Sequence, residues 1–342
     1  MNEGRRNVSL RDVAVRAGVS VKTVSNVVNG YTHVTEATRG KVQLAIDELG
    51  YTPNLVARHL RRGQSGIIAL AVPELALPYF AELSSFVVRA AEARGWTVLI
   101  DQTDGLRDRE HVVVSGIRAH LIDGLIFSPL AMSAAEIGNR HSGTPMVLLG
   151  ERVHGGTADH VAIDNVAAAR AATAHLLAGG RKRVAAIGYQ GSASGQTARL
   201  RARGYEEALA AGGARNDPKL HAATTSFHRE DGAQAMERLL GMSKPPDAVF
   251  CFNDLLALGA LRTLLRRGVK VPDDVAVIGF DDVEEARFAT PALSTVRPDK
   301  EEIARVSVEY LLDRVVGEQS LPAREYVAAH SLVIRESSST TA

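Results

Sequence analysis

From Ile67 onward the chain alternates short apolar runs with helical segments, and this alternation restricts the possible fold more than any other feature. GIIALAVP, GWTVLIDQT, IDGLIFSPL and TPMVLLGE are near-continuous apolar runs bounded by Gly, Pro or polar residues, and RVAAIGY, DAVFCFND and VAVIGFDD repeat the theme. Helical stretches such as AELSSFVVRAAEARG and NVAAARAATAHLLAGG separate them. Strands that are apolar on both faces and alternate with helices predict parallel sheets covered on both sides. The pattern occupies most of a 342-residue chain. That is more than one α/β unit comfortably holds, so two lobes are expected.

The first sixty residues read differently. Residues 1–63 carry ten Lys/Arg and five Asp/Glu, against 30 and 34 in the remainder, so a formal net charge of +1 hides a basic head on a mildly acidic body. Such a head suits a polyanion as well as it suits plain solvation. The pattern inside it is more informative. Ser9 and Asp12 fit a capping box, Leu10, Val13, Ala14 and Ala17 follow helical spacing, and Gly18 ends the helix. Ser20 caps a second helix, whose apolar stripe is Val21, Val24 and Val28 with Val27 beside it. Lys22, Ser25, Asn26 and Asn29 share its opposite face. A third helix starts near Thr35, buries Val42, Ala45, Ile46 and Leu49, and stops at Gly50 before Pro53. Two short helices joined at Ala17–Ser20 form a helix-turn-helix. Asn pairs with adenine, Lys with guanine, and Ser or Thr hydroxyls take phosphates. A plain three-helix bundle with a polar outer face is the alternative.

Several classes are excluded. The single cysteine, Cys251, rules out an intrachain disulfide and any cysteine-based zinc cluster. No run approaches ~18 uncharged apolar residues, so no membrane span is expected. Met1–Asn7 is polar and opens no signal-type apolar run, which predicts a cytoplasmic protein. H-E-x-x-H, G-x-x-x-x-G-K-[ST] and G-x-S-x-G are absent and the eleven histidines are scattered, so the reading is not an enzyme, with no metal or cofactor. The competing class is a small-molecule binder or enzyme with a vestigial DNA-binding head.

The segment VSLRDVAVRAGVSVKTVSNVVNGYTHVTEATRGKVQLAIDELGYTPNLVARHLRRGQS resembles the N-terminus of the LacI/GalR family of bacterial transcription regulators. DVA..AGVS, TVS.VVN, V...TR.KV, LGY.PN and A..L match in register. The resemblance continues through PYFAEL, DGLI, HVAIDN, ARLRARGY, AVFCFNDLLALGAL and VPDDVAVIGFDD. It implies an α/β fold class: an N-terminal helix-turn-helix DNA-binding domain, then a periplasmic-binding-protein-like core of two doubly wound parallel-sheet lobes. The implied boundaries are 1–52 for the headpiece, 53–64 for a hinge helix and linker, and 65–342 for the core. The first lobe takes residues 65–163 and 292–328, the second 164–291 and 329–338, with crossings near Asp164, Pro291 and Ala328.

What the resemblance implies for function is a sequence-specific repressor switched by a small-molecule effector. Its partners would be double-stranded, pseudo-palindromic operator DNA, a carbohydrate effector and a second copy in a homodimer. Ser9, Ser20, Val21, Lys22, Thr23, Ser25, Asn26 and Asn29 fall at DNA-contacting positions, though Val21 also fits the apolar stripe. Asn54, Ala57, Leu60 and Arg61 fall in the hinge, where Leu60 matches a minor-groove wedge. A linker leucine packed on its own protein is the plainer reading of Leu60.

In the core, Arg201, Asn253 and Asp281 match polar effector contacts, and the latter two follow apolar strands, where α/β folds place ligands. A carboxylate accepting from two hydroxyls beside a forked guanidinium suits a sugar or nucleoside. Read alone, Asp281 could instead cap a turn and Arg201 could make a surface ion pair. Phe227 matches a stacking position. Of Tyr79 and Phe80, one is expected to pack inward and the other to meet the ligand. Leu77 and Gly150 stand where the family commonly has Asn and Asp, and Ser128 replaces a bulkier amide. These departures point away from a common hexose.

Overall fold

The computed structural model describes residues 8–28, 31, 33–51, 64–115, 121–139, 143–150, 158–191, 195–317 and 322–339. The chain separates into two compact units, Met1–Gln64 and Ser65–Ala342.

The first unit holds three helices, α1 (Leu10–Ala17), α2 (Val21–Val28) and α3 (Glu36–Leu49). Local chemistry sets their ends. Ser9 and Asp12 cap α1 reciprocally, and Gly18 closes it at φ 64°, a left-handed conformation that glycine adopts without steric cost. Thr35 caps α3, and Gly50 ends it at φ 61°. Val13, Ala14, Val24, Val27, Val42 and Ala45 form the buried centre. Ile46, Leu49 and Val28 are only partly buried around it. Val21 leaves the expected stripe and is 44% exposed, because Val24 and Val27 carry the packing of α2.

The second unit contains two six-stranded sheets. The first-lobe elements are β1 (Ile67–Val72), α4 (Pro78–Glu92), β2 (Thr97–Gln102), α5 (Arg107–Val114), β3 (Gly124–Phe127), α6 (Ala134–Gly138), β4 (Met146–Leu149) and β5 (Asp159–Ile163). The chain then supplies α7 (Asn165–Ala178), β6 (Val184–Tyr189), α8 (Gln196–Ala211), β7 (His221–Ala223), α9 (Arg229–Leu240), β8 (Ala248–Cys251), α10 (Asp254–Arg266), β9 (Ala276–Phe280), α11 (Glu284–Phe288) and β10 (Ser294–Pro298). It ends with α12 (Lys300–Val316), β11 (Glu325–Ala328) and β12 (His330–Val333). The sheet orders are β11-β5-β4-β3-β1-β2 and β12-β10-β9-β8-β6-β7. All pairings are parallel except β10 with β12. Strands β3, β4, β5, β8 and β9 are buried along their whole length, as near-continuous apolar runs demand.

One boundary differs from the sequence reading. The second crossing was expected near Pro291, but β10 pairs with β9 from Ser294 to Val296. The chain therefore leaves the second lobe after Pro298. The STVRP run completes the β9 ladder, a pairing that its short polar sequence does not announce. The other passages between sheets follow Ile163 and Ala328, the last residues of β5 and β11. Helices α9 and α10 approach to backbone contact: a Cβ on Gly259 would lie 1.9 Å from the Arg229 carbonyl oxygen. Helix α10 is thereby fixed behind the strand ends that build the cleft. Among the described residues no helix is long and apolar enough to cross a membrane.

Candidate functional site

The outer face of α2 is the first candidate surface. Ser20 caps the helix: its hydroxyl accepts the Thr23 N–H at 3.1 Å and lies 2.8 Å from the Thr23 hydroxyl. Ser9 is likewise committed to its capping box, giving its hydroxyl hydrogen to Asp12 at 2.6 Å. Both serines therefore shape helix starts. Val21 and Lys22 are exposed on the first turn of α2, while Thr23, Ser25 and Asn26 are half-buried. Asn29 and the hinge positions Asn54, Ala57, Leu60 and Arg61 lie outside the described residues.

The second candidate is a cavity of about 380 Å3 between the two lobes of the core. Its size is that of a small-ligand pocket. Tyr79, Phe80 and Ser128 line it from the first lobe, and Arg201, Phe227, Asn253 and Asp281 line it from the second. Tyr79 and Phe80 both reach the wall and meet edge to face, centroids 5.2 Å apart. Neither is fully buried, so the division of one inward and one outward does not hold.

Arg201 is buried rather than at the surface. Its Nε donates to Asn165 Oδ1 at 2.7 Å, its Nη1 donates to the Phe252 carbonyl, and its Cζ lies 3.5 Å from the Phe280 ring centroid. Its Nη2 faces Asp281 Oδ1 at 3.8 Å. A guanidinium held on this many sides presents a fixed edge, as recognition of hydroxyl groups requires. Asn253 has a double role. Its Oδ1 caps α10 by accepting the Leu256 N–H at 2.9 Å, and its Nδ2 donates to the Phe227 carbonyl at 3.0 Å, which seats that aromatic.

Asp281 and Asp282 follow β9 with φ of 113° and 46°. Non-glycine residues pay for such angles, and they persist where the surroundings impose them. Asp282 receives Arg297 Nε and Arg335 Nη2, each at 2.6 Å, and these hydrogen bonds outweigh burial to hold its carboxyl below the usual range. Behind the turn lies Asp254. Its Oδ2 accepts the Val283 N–H at 3.0 Å, and its Oδ1 sits 2.7 Å from the Thr295 hydroxyl.

Complete burial, aided by the charge of Asp281, pushes the Asp254 carboxyl well above the usual carboxylate range. The unfolded chain thus releases this proton at lower pH than the folded protein does. Stability falls as pH rises from the ordinary carboxylate range toward the raised value, by up to about 1.4 kcal/mol per pH unit. Asp254→Asn has no such proton to lose. Its stability relative to wild type should rise with pH across that window, measured by urea unfolding at several pH values. Identical pH slopes for the two proteins would refute this ionisation.

The sequence reading missed other polar groups of the wall. Gln190, Gln196 and Thr197 line the cavity without belonging to any recognisable pattern. Glu74 and His228 line it from opposite lobes and approach to 3.3 Å. Their signal was weak: His228 merely follows Phe227. Among the described residues no group of three His, Cys, Asp or Glu side chains is placed to hold a metal ion.

A helix-turn-helix joined to a two-lobed core with a ligand-sized cleft defines a class, the ligand-binding transcription regulators. Residues 9–54 match the bacterial regulatory proteins of the lacI family, and residues 173–338 match the periplasmic binding protein-like domain. The HTH-type transcriptional repressor CytR of Escherichia coli (strain K12) is 35% identical over 312 residues, covering 91% of this chain and 90% of that one. The structure of the transcriptional regulator CelR–cellobiose complex superposes with a TM-score of 0.71 at 32% identity, covering 96% of this chain and 99% of that one. The lac repressor dimer bound to operator and an anti-inducer superposes with a TM-score of 0.77 at 28% identity, covering 97% and 99%. The chain belongs to the LacI family of bacterial transcription regulators. It is a DNA-binding regulator, not an enzyme.

Proposed function

We propose that the protein is an operator-binding repressor whose DNA affinity is set by a sugar or nucleoside bound between the core lobes. The observation that carries this reading is the convergence on one cavity of an aromatic pair, a held guanidinium and an inward carboxylate, in a chain that begins with a helix-turn-helix. Aromatic faces suit the apolar side of a sugar ring, and the polar groups suit its hydroxyls. The similarity to CelR, whose structure is a complex with cellobiose, supports a carbohydrate ligand, and the similarity to the repressor CytR supports repression. The contacts to DNA are assigned to Val21, Lys22, Thr23, Ser25, Asn26 and Asn29, with a phosphate contact from Ser20; Ser9, whose hydroxyl hydrogen goes to Asp12, serves this surface by capping α1. Asn54, Ala57, Leu60 and Arg61 are assigned to the hinge.

The effector acts by binding one lobe arrangement more tightly than another, which is worth about 1–3 kcal/mol, or 5- to 150-fold in operator affinity. The test is a gel shift on the DNA upstream of its own gene, with cellobiose, ribose and cytidine added in turn. Retardation reversed by one of these compounds is the expected result. No retardation at any protein concentration would reject the reading.

Two operator half-sites need two heads, so the active form is a homodimer. Light scattering should give twice the chain mass at micromolar concentration. A monomer with full operator affinity would overturn the assembly.

A further inference from the structure

Two side chains outside the cavity wall join the lobes directly behind it. Lys300 is the first residue of α12, and Glu82 lies in the first turns of α4. Both are first-lobe helices, and α12 packs on α4 and on strands β3, β4 and β5. The Lys300 side chain is 8% exposed. Its ammonium donates to the Asp281 carbonyl at 2.7 Å, to the Asp282 carbonyl at 3.1 Å, and to Glu82 Oε2. Three ammonium hydrogens thus have three acceptors, the condition under which a lysine tolerates burial. Glu82 Oε1 accepts the Glu284 N–H at 3.0 Å. Two first-lobe side chains therefore grip the backbone of second-lobe residues 281–284.

We propose that Glu82 and Lys300 are positioning residues of the cleft: an interlobe clamp that holds the Asp281–Asp282 turn and ties it to the helix bearing Tyr79 and Phe80. The grip explains the turn. Left-handed angles at two successive aspartates bring both carbonyls to one ammonium, and that charge-assisted contact offsets the strain. It also joins the two walls. Tyr79 precedes Glu82 by three residues on one helix, so they lie on neighbouring parts of its surface. Asp281 sits at the other end of the same polar bridge. An effector that touches Asp281 and the aromatics loads both ends of the clamp. The inference rests on reading the cavity as the effector site.

The experiment uses the full-length protein and two variants, Lys300→Met and Glu82→Gln. Hydrogen exchange without effector should accelerate at least tenfold at the Asp281, Asp282 and Glu284 amides in Lys300→Met, with β6 and β8 unchanged. Glu82→Gln should accelerate the Glu284 amide alone. Calorimetry with cellobiose, ribose and cytidine should show a Kd at least tenfold weaker in Lys300→Met for whichever compound binds wild type. Neither side chain lines the cavity, so that loss would report positioning. Unchanged exchange at the three amides in both variants would overturn the clamp. Faster exchange throughout both sheets would reduce it to general stability, and local loosening with unchanged Kd would overturn the positioning role. If no compound binds wild type, none of the three is the effector, and exchange alone decides the clamp.

Discussion

An Asp281→Asn protein is expected to bind operator as wild type does and to stop responding to effector. Asparagine is the informative replacement because residue 281 adopts φ 113°. Alanine there would strain the turn, whereas asparagine tolerates positive φ and keeps the 2.8 Å backbone hydrogen bond to the Val296 carbonyl. The change removes the carboxylate charge while leaving the side-chain volume. A hydrogen bond to a charged group contributes about 1.5–3 kcal/mol, so effector Kd should rise roughly 10- to 150-fold. The group stands at the second-lobe wall, 3.8 Å from Arg201 Nη2, and belongs to a different compact unit from the helix-turn-helix. Operator affinity without effector should therefore hold. Calorimetry of the compound that shifts wild type, beside an operator titration with and without it, reads both quantities. Wild-type affinity together with intact switching would remove Asp281 from the site.

How far the sequence revealed this arrangement follows from the range of the forces involved. Helix ends were legible because capping is local: Ser9 with Asp12, and Gly18 and Gly50 at positive φ, act within a few residues. The buried strands were legible because a sheet covered on both faces demands unbroken apolar runs. Strand β10 was not, since its pairing with β9 is tertiary and STVRP is short and polar. The orientation of Val21 depended on which valines the neighbouring helices would cover. Arg201 was legible as a candidate effector contact, but the sequence could not disclose Asn165, Phe252 and Phe280 around it. Asn253 was legible as polar and following a strand, but its use as a helix cap and as the seat of Phe227 required coordinates. Lys300 and Glu82 are 218 residues apart. No period or motif links them, and their shared grip on residues 281–284 exists only once both lobes are folded.

The second large effect is expected at Lys22. Its side chain is exposed on the first turn of α2 beside Val21, where a recognition helix presents its base-reading residues. Lysine meets guanine acceptors in the major groove, and such a contact discriminates against the wrong base by about 1–3 kcal/mol. Lys22→Ala should thus raise operator Kd by roughly 5- to 150-fold and leave binding to a random duplex much less affected. A phosphate contact behaves differently. Arg61→Ala should weaken operator and random DNA alike and lower the salt slope by about one unit, because one fewer counterion is released. Fluorescence anisotropy with both duplexes between about 50 and 200 mM salt separates the two cases. Lys22 lies outside the buried centre of its unit, so its removal should leave the fold intact and the comparison clean. Equal losses on both duplexes with a flattened salt slope would reassign Lys22 to the phosphate backbone and leave base reading to Asn26 and its neighbours.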